Sequence, residues 1–250
     1  MEKLKVLDLF SGIGGFSLGL ERTGGFETIA FCEIEGFQSE VLNRHWPDTP
    51  IFSDIKKLDG SQFKGIDVLC GGFPCQPFSQ AGPRRGKDDE RHLWPEIIRI
   101  IKQCKPTWVC CENVAGITQM ALEDVCCDLE GEGYEVQPLH ISSAAVGTIQ
   151  SRKRVWILAH RNERRAPVWR NGEFQQITQD AGVGRNHGRR AAEPITGEWW
   201  QEQPRPYGVL DGVPERSLRN DALGNAVVPE IVTIIGGAIL QAEREKTNST

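Results

Sequence analysis

Short apolar runs that alternate with helical patterns limit the possible folds of this chain more than any other sequence feature. Residues 4–10 read as a buried strand, residues 11–15 as a glycine turn, and the FSLGLER segment that follows as a helix. Further strand-like runs lie at 28–32, 51–55, 66–70, 107–114, 134–141 and 155–159. Because strands that alternate with helices form mainly parallel sheets, we predict an α/β fold with helices on both sheet faces.

The helical patterns between these strands have recognisable boundaries. An amphipathic segment at 35–46 stops before Pro47, and helices are predicted at 92–103 and 122–130. After a Gly-Asn turn, Pro229 stands at a suitable first helical position and opens a strongly apolar helix. The pattern therefore resumes near the end of the sequence.

Bulk composition is that of an ordinary globular protein. The 250 residues are 39% hydrophobic and 25% charged, enough for one large domain or a domain with a small appendage. We expect a cytoplasmic protein, because the N-terminus lacks a signal-peptide pattern and no apolar run approaches the roughly 20 residues of a membrane span. The net charge of −5 argues against a generally basic nucleic-acid coat but leaves room for a local basic patch.

The eight cysteines include no CxxC pair, and several lie in apolar runs. We expect most of the cysteines to be buried free thiols. A structural role without a metal ion is expected for Cys70, Cys110, Cys111, Cys126 and Cys127.

Residues 160–222 differ in character from the rest of the chain. They hold ten Arg, no Lys and three Trp, with many Gly and Pro and few periodic runs. Arg with aromatic residues suits guanine edges, phosphates and stacked bases. A loop-rich subdomain whose acids nearly balance its arginines is an equally good interpretation of the composition.

The GGFPCQPFS segment places one thiol in a stiff loop directly after a predicted strand. Pro74 and Pro77 fix φ on either side of Cys75 and its neighbour. Glu112 closes another predicted strand, and the two strand ends together suggest covalent catalysis, with a structural thiol as the alternative. Asp8 and Glu33, at the ends of the first two strands, are acids of the kind that bind ribose hydroxyls or an amine.

Five segments in order resemble the cytosine-5 DNA methyltransferase family. These are DLFSGIGGF, GGFPCQPFS, ENV at 112–114, QSRKR at 150–154 and GNAVVP at 224–229. The resemblance implies an S-adenosylmethionine-dependent (Rossmann-like) methyltransferase sheet. It also implies a catalytic domain at 1–159 and 223–250, with a small irregular target-recognition lobe at 160–222.

The resemblance also implies catalytic roles. Cys75 would attack C6 of a cytosine, and Glu112 would hold N3 and the exocyclic amine while protonating the ring. Arg154 and Arg152 would help to hold the flipped base and support the site, and Gln150 would position the nucleophile loop.

For the cofactor, the resemblance implies S-adenosylmethionine without a metal. Phe10, Gly12 and Gly14 would line its methionine end, Glu33 would take the ribose hydroxyls, and Asp54 would meet the adenine. Asn225 and Val227 would close the pocket, and Asp8 is also expected to bind the cofactor.

DNA contacts are expected in two places. Residues 80–91 fit a loop that closes over the DNA backbone through Arg84, Arg85 and Lys87, with a solvated charged loop as the alternative. Arg205, Arg216 and Arg219 are candidates in the recognition lobe.

We therefore expect a DNA (cytosine-5-)-methyltransferase that acts on a flipped base in double-stranded DNA as a monomer. The short interval between Arg154 and Gly224 resembles compact, solitary phage and prophage members of the family, and a connection with restriction-modification is also expected. Two alternatives stay open. One is a tRNA cytosine-5 methyltransferase of the same fold, and the other is a non-catalytic DNA-binding relative.

Overall fold

The computed structural model describes residues 2–74, 93–146, 152–161 and 222–248. Within these ranges seven strands form one sheet in the order β3-β2-β1-β4-β5-β7-β6. The strands are β1 (Leu4–Leu9), β2 (Phe26–Cys32), β3 (Ile51–Phe52), β4 (Val68–Gly72), β5 (Trp108–Val114), β6 (Tyr134–Ser142) and β7 (Lys153–Arg161). The first five strands pair in parallel, and β7 runs antiparallel to both of its neighbours. The predicted mainly parallel α/β sheet is confirmed.

Five α-helices connect or cover the described strands. They are α1 (Gly15–Glu21), α2 (Gly36–His45), α3 (Trp94–Cys104), α4 (Leu122–Gly131) and α5 (Pro229–Asn248). Pro229 is the first residue of α5, as predicted, because a proline at that position loses no intrahelical hydrogen bond.

Alternate residues of the central strands face two separate hydrophobic cores. In β4, Val68 and Cys70 pack with residues of α1 and α5, whereas Leu69 packs with residues of α3 and α4. Successive side chains of a strand point to opposite faces, so both faces of the sheet are covered. The prediction of helices on both faces is therefore confirmed.

Two strand boundaries differ from the predicted ones. The predicted strand at 51–55 ends at Phe52, because the Asp54 carboxylate accepts the backbone N–H of Lys56 (2.9 Å) and turns the chain. Gly71 and Gly72, expected to end the next strand, belong to β4. A Cβ at Gly71 would clash with the Leu9 carbonyl oxygen, so glycine allows β1 and β4 to approach closely.

The last helix corrects the expectation that no apolar run is long enough to span a membrane. Among the described residues one helical stretch, Ala222–Lys246, is long and apolar enough by length and composition. Its residues Ile231, Val232 and Ile235 are buried together with Phe16 of α1 and Trp156 of β7. This packing is typical of a core helix.

Helices α1 and α5 lie in close contact although they are far apart in the sequence. The hydroxyl of Thr233 donates to the Gly19 carbonyl (2.9 Å). A Cβ at Gly19 would lie 2.5 Å from Cβ of Val232, so only glycine permits this approach. The segment that precedes α5 is thereby brought beside the glycine turn before α1.

Candidate active site

The carboxyl ends of the parallel strands bring the predicted site residues to one edge of the sheet. Asp8 of β1 is the register partner of Cys70, and Gly72 of β4 is the register partner of Glu112. Open α/β sheets bind ligands at this edge. The chain is described as far as Pro74, one residue before Cys75, so the strand that leads to the cysteine ends beside Glu112.

Glu112 is a buried carboxylate paired with an arginine. Its side chain is 7% exposed, and its Oε1 lies 2.8 Å from Nε of Arg154. The antiparallel pairing of β5 with β7 brings the two residues together, since Val114 and Arg154 are register partners. Burial raises the pKa of Glu112, and the charges of Arg154 and Arg152 oppose this rise.

Arg152 extends toward the segment before α5. Its Nη1 donates to the Ala226 carbonyl (2.6 Å), and its backbone N–H donates to Oγ of Ser143 (3.0 Å). Burial and the neighbouring charge of Arg154 lower the pKa of Arg152. In the structure Arg152 therefore tethers the chain around residue 226 to the strand that carries Arg154.

Val227 lies between the glycine turn and Glu112. A Cβ at Gly15 would be 2.7 Å from the Val227 carbonyl oxygen. A Cβ at Gly72 would be 3.6 Å from Cγ2 of Val227 and 3.4 Å from Oε2 of Glu112. The Asn225 side chain is exposed at the surface of the same segment.

Three residues in the glycine turn or directly before it have a positive φ. These are Phe10 (51°), Gly12 (55°) and Gly14 (84°). Among the described residues a Cβ at Gly12 would have no neighbour within 4 Å, whereas one at Gly14 would lie 2.6 Å from the Trp46 ring. Within the described residues Gly12 therefore borders open space, whereas the Trp46 ring packs against the turn at Gly14. A positive φ at a bulky residue such as Phe10 is strained, and strain of this kind is concentrated at functional sites.

Glu33 holds the turn from its other side. Its Oε2 accepts the backbone N–H of Gly12 (2.7 Å), and its Oε1 accepts that of Glu35 (2.9 Å). The N–H of Glu33 donates to the Phe52 carbonyl (2.9 Å), which places Asp54 near the end of the neighbouring strand. The two acids thus follow adjacent strands, as the sequence predicts.

Asp8 differs from Glu33 in its surroundings. Its side chain is fully buried at 0% exposure, and its Oδ2 accepts the hydroxyl of Ser17 (2.7 Å). Burial raises the pKa of this carboxyl to about 7.

Two further residues near this edge of the sheet were given no role in the sequence analysis. Nδ2 of the buried Asn113 donates to the Phe73 carbonyl (3.1 Å), two residues before Cys75. Ile34 is 72% exposed directly after Glu33, where an apolar side chain can pack against a flat ring. The available indications were an amide at the end of an apolar strand and an isoleucine between two glutamates.

Several predicted residues lie outside the described residues. These are Cys75, Gln150, Arg84, Arg85, Lys87, Arg205, Arg216 and Arg219. Of the thiols, Cys32, Cys70, Cys104, Cys110 and Cys111 are buried, whereas Cys127 is exposed. Within the described ranges no group of three or more His, Cys, Asp or Glu residues is arranged to hold a metal ion.

Comparison with protein families and relatives gives consistent matches. Residues 4–194 match the family described as C-5 cytosine-specific DNA methylase. Type II methyltransferase M.NgoMIV of Neisseria gonorrhoeae is 39% identical over 162 residues, which cover 63% of this chain and 52% of that protein. Type II methyltransferase M.HgiCII of Herpetosiphon aurantiacus is 33% identical over 187 residues, which cover 72% and 42%. The chain spans about half, or less, of the length of these relatives.

Solved structures match the fold of this chain as well. A DNMT2 variant of Spodoptera frugiperda superposes with a TM-score of 0.58 and 26% identity, covering 67% of this chain and 53% of that chain. A prophage-encoded E. coli protein described as a DNA modification methyltransferase gives 0.55 and 28% identity, covering 64% and 47%.

Proposed function

The chain belongs to the C-5 cytosine-specific DNA methylase family, and we propose that it transfers a methyl group from S-adenosylmethionine to C5 of cytosine in double-stranded DNA. One observation carries this proposal. The buried Glu112, paired with Arg154 at 2.8 Å, lies beside the end of the strand that leads to Cys75. An acid and a nucleophile at neighbouring strand ends are what addition to a pyrimidine ring requires.

In the proposed reaction the Cys75 thiolate adds to C6 of the cytosine and forms a carbon–sulfur bond. Glu112 donates its proton to N3, which makes C5 nucleophilic. C5 then accepts the methyl group that bound S-adenosylmethionine would supply, and S-adenosylhomocysteine is left. A base removes the C5 proton, the carbon–sulfur bond to Cys75 breaks, and N3 returns its proton to Glu112, which restores the aromatic ring. The raised pKa of Glu112 supports the role of proton donor, because a carboxyl whose pKa is raised retains its proton at higher pH.

Arg154 has two tasks in this scheme. Its charge stabilises the Glu112 carboxylate after the proton has left, and its position at the rim of β7 suits contact with the base. Arg152, bonded to the Ala226 carbonyl, holds Val227 near Glu112. Gln150 completes the proposal as the residue that positions the nucleophile loop.

The glycine turn fits the cofactor. Open space in front of Gly12 allows a ligand to approach the backbone closely, and the strained Phe10 lies directly before it. Glu33 has acceptor capacity for ribose hydroxyls, and Asp54 and the exposed Ile34 suit an adenine ring. Gly14, Asn225 and Val227 complete the proposed pocket. When bound, S-adenosylmethionine supplies the methyl group that C5 accepts.

Duplex DNA is the proposed substrate because the family acts on cytosine in DNA. A ring carbon inside a stacked duplex is out of reach, so the base must be extruded at a cost of a few kcal/mol. We assign DNA contacts to Arg84, Arg85 and Lys87 beside the nucleophile loop. Target recognition is assigned to residues 160–222, including Arg205, Arg216 and Arg219. We further propose a monomeric cytoplasmic enzyme, testable by light scattering of the purified protein.

Expression in a bacterial host that lacks cytosine methylation tests the function directly. Genome-wide mapping of 5-methylcytosine should yield a consensus sequence for the intact protein and none for Cys75→Ser. Methylation of tRNA without methylation of duplex DNA would replace the proposed substrate. An absence of methyl transfer to either nucleic acid, with cofactor binding retained, would support the non-catalytic alternative.

A further inference from the structure

Asp8 accepts hydrogen bonds from two residues that flank the glycine turn, one at its start and one after its end. Oδ2 of Asp8 accepts the hydroxyl of Ser17, which lies on α1 after the turn, at 2.7 Å. Its backbone carbonyl accepts the hydroxyl of Ser11, at the start of the turn, at 2.6 Å. The N–H of Gly14 in turn donates to the Ser11 carbonyl (2.9 Å). One strand residue therefore joins the beginning of the turn to the helix that follows it.

The turn needs such a restraint because its backbone is strained. Phe10 has a φ of 51°, a left-handed backbone conformation that is strained for a residue other than glycine. It persists only when the surrounding structure holds the chain in place. The Ser17 hydrogen bond, fully buried on both sides, supplies a fixed point directly after the turn.

We propose that Asp8 is a positioning residue that sets the shape of the cofactor turn through Ser17, and that it makes no contact with the cofactor itself. This inference rests on the proposed function. Its 0% exposure leaves no carboxylate surface for a ligand, in contrast to Gly12, whose missing side chain opens onto free space. Glu33 and Asp54 are then the acids that meet the cofactor.

The chemistry of the buried carboxyl agrees with a structural tether. Burial raises the pKa of Asp8 to about 7; Ser17 opposes this rise, and the charge of Glu33 adds to it. The Cys70 thiol faces the same carboxyl from β4. Both the neutral and the ionised carboxyl have an oxygen that can accept the Ser17 hydroxyl, and an asparagine at position 8 has one as well.

Binding of S-adenosylhomocysteine to full-length variants, measured by calorimetry, tests the tether. Asp8→Ala and Ser17→Ala should each weaken binding by about 10-fold, a typical effect for a lost hydrogen bond to a carboxyl group. Their double variant should be no weaker than either single one, because both remove the same interaction. Asp8→Asn retains the acceptor and should bind within about 2-fold of the wild type.

Thr233→Ala is the matched control. It removes another hydroxyl that anchors α1, at the Gly19 carbonyl, but not the link to the turn. The Thr233→Ala substitution should lower the melting temperature without changing the affinity for S-adenosylhomocysteine. Exchange of the Gly14 amide hydrogen, measured without ligand, should be faster in Ser17→Ala than in Thr233→Ala.

The opposite pattern would overturn the inference. If Asp8→Asn binds as weakly as Asp8→Ala while Ser17→Ala binds normally, Asp8 is a direct ligand. Unchanged affinity and Gly14 exchange in Ser17→Ala would show that the tether does not shape the turn. A wild-type protein that binds the probe without methylating DNA would refute the proposed function and leave the tether intact. A wild type that does not bind the probe would refute both.

Discussion

Nε of Arg154 and Oε1 of Glu112 lie 2.8 Å apart on adjacent antiparallel strands, and both side chains are largely buried. A buried ion pair contributes little to stability by itself, but removal of one partner leaves an uncompensated charge. Such a pair at the ligand-binding edge of the sheet therefore points to a function in chemistry.

Replacement of Glu112 by Gln should slow methyl transfer by about 10²-fold or more, since general acids contribute on that scale. Single-turnover transfer to a cytosine-containing duplex measures the effect. Affinity for S-adenosylhomocysteine, the control, should stay within about 2-fold. Undiminished transfer would mean that a group other than Glu112 activates the ring.

Asn113→Asp should reduce the transfer rate by about 10-fold or more at saturating cofactor. The substitution keeps an acceptor for the Val114 N–H but removes the donor to the Phe73 carbonyl, which holds the chain before Cys75. The measurement is kcat against KM for DNA and cofactor. A wild-type kcat would contradict the proposed support of the nucleophile loop.

The two turn glycines should respond differently to alanine. Gly14→Ala brings a Cβ to 2.6 Å from the Trp46 ring at a φ of 84°, and we expect a destabilisation of about 3 kcal/mol. Gly12→Ala meets no neighbour in the part of the chain that the structure describes, so about 1 to 2 kcal/mol should be lost through backbone strain. Urea unfolding distinguishes them, and equal losses would argue against support of the turn by Trp46.

The adjacent glycines of α5 offer a second matched pair. A Cβ at Gly237 would contact none of the described residues within 4 Å, so Gly237→Ala should stabilise the protein by about 0.5 to 1 kcal/mol. A Cβ at Gly236 would lie 3.1 to 3.3 Å from Leu20, Thr23 and Phe26, which cancels or reverses that gain. A larger gain at Gly236 would contradict the close packing of α5 on α1.

The free energy of unfolding below pH 6.5 should depend on the protonation of His160. Burial and the positive charge of Lys246 lower its pKa from 6.5 to about 4, and Glu243 opposes this shift. The folded state therefore binds fewer protons than the unfolded state between these values, so stability is present above pH 6.5 and is lost as pH falls toward 4. The slope approaches about 1.4 kcal/mol per pH unit.

His160→Phe keeps a ring beside Trp108, whose centroid is 4.3 Å from that of the histidine, but cannot take up the proton. Urea unfolding at pH 7.5, 6.0 and 5.0 should give a flatter pH dependence for the variant. Parallel curves for the two proteins would show that His160 does not titrate in this way.

Local patterns predicted most of the fold because each strand is a short apolar run and each helix has a clear boundary. They did not predict the place of β7, which enters the sheet between β5 and β6. That order depends on which faces pack together, and no run of neighbouring residues encodes it.

Local sequence patterns likewise predicted only part of the candidate site. Glu33 and Asp8 are equivalent as sequence features, since both are acids at the ends of apolar strands. Only the packing of α1 against β1 distinguishes them, because Ser17 covers Asp8 while Glu33 remains beside Gly12. Arg152 was expected to support the site. Its hydrogen bond to the Ala226 carbonyl could not be predicted, because it joins segments that are distant in the sequence.

The contact between Thr233 and Gly19 spans 214 positions of the chain. A ribosome that has just released α1 must add all of those residues before the partner helix exists. Until then the apolar side of α1, including Phe16 and Leu20, has no α5 to cover it, and the segment that carries Val227 is missing. A nascent chain of this protein therefore cannot cover α1 or place Val227 beside Gly15 and Gly72 until synthesis has passed α5, however early the first motif emerges.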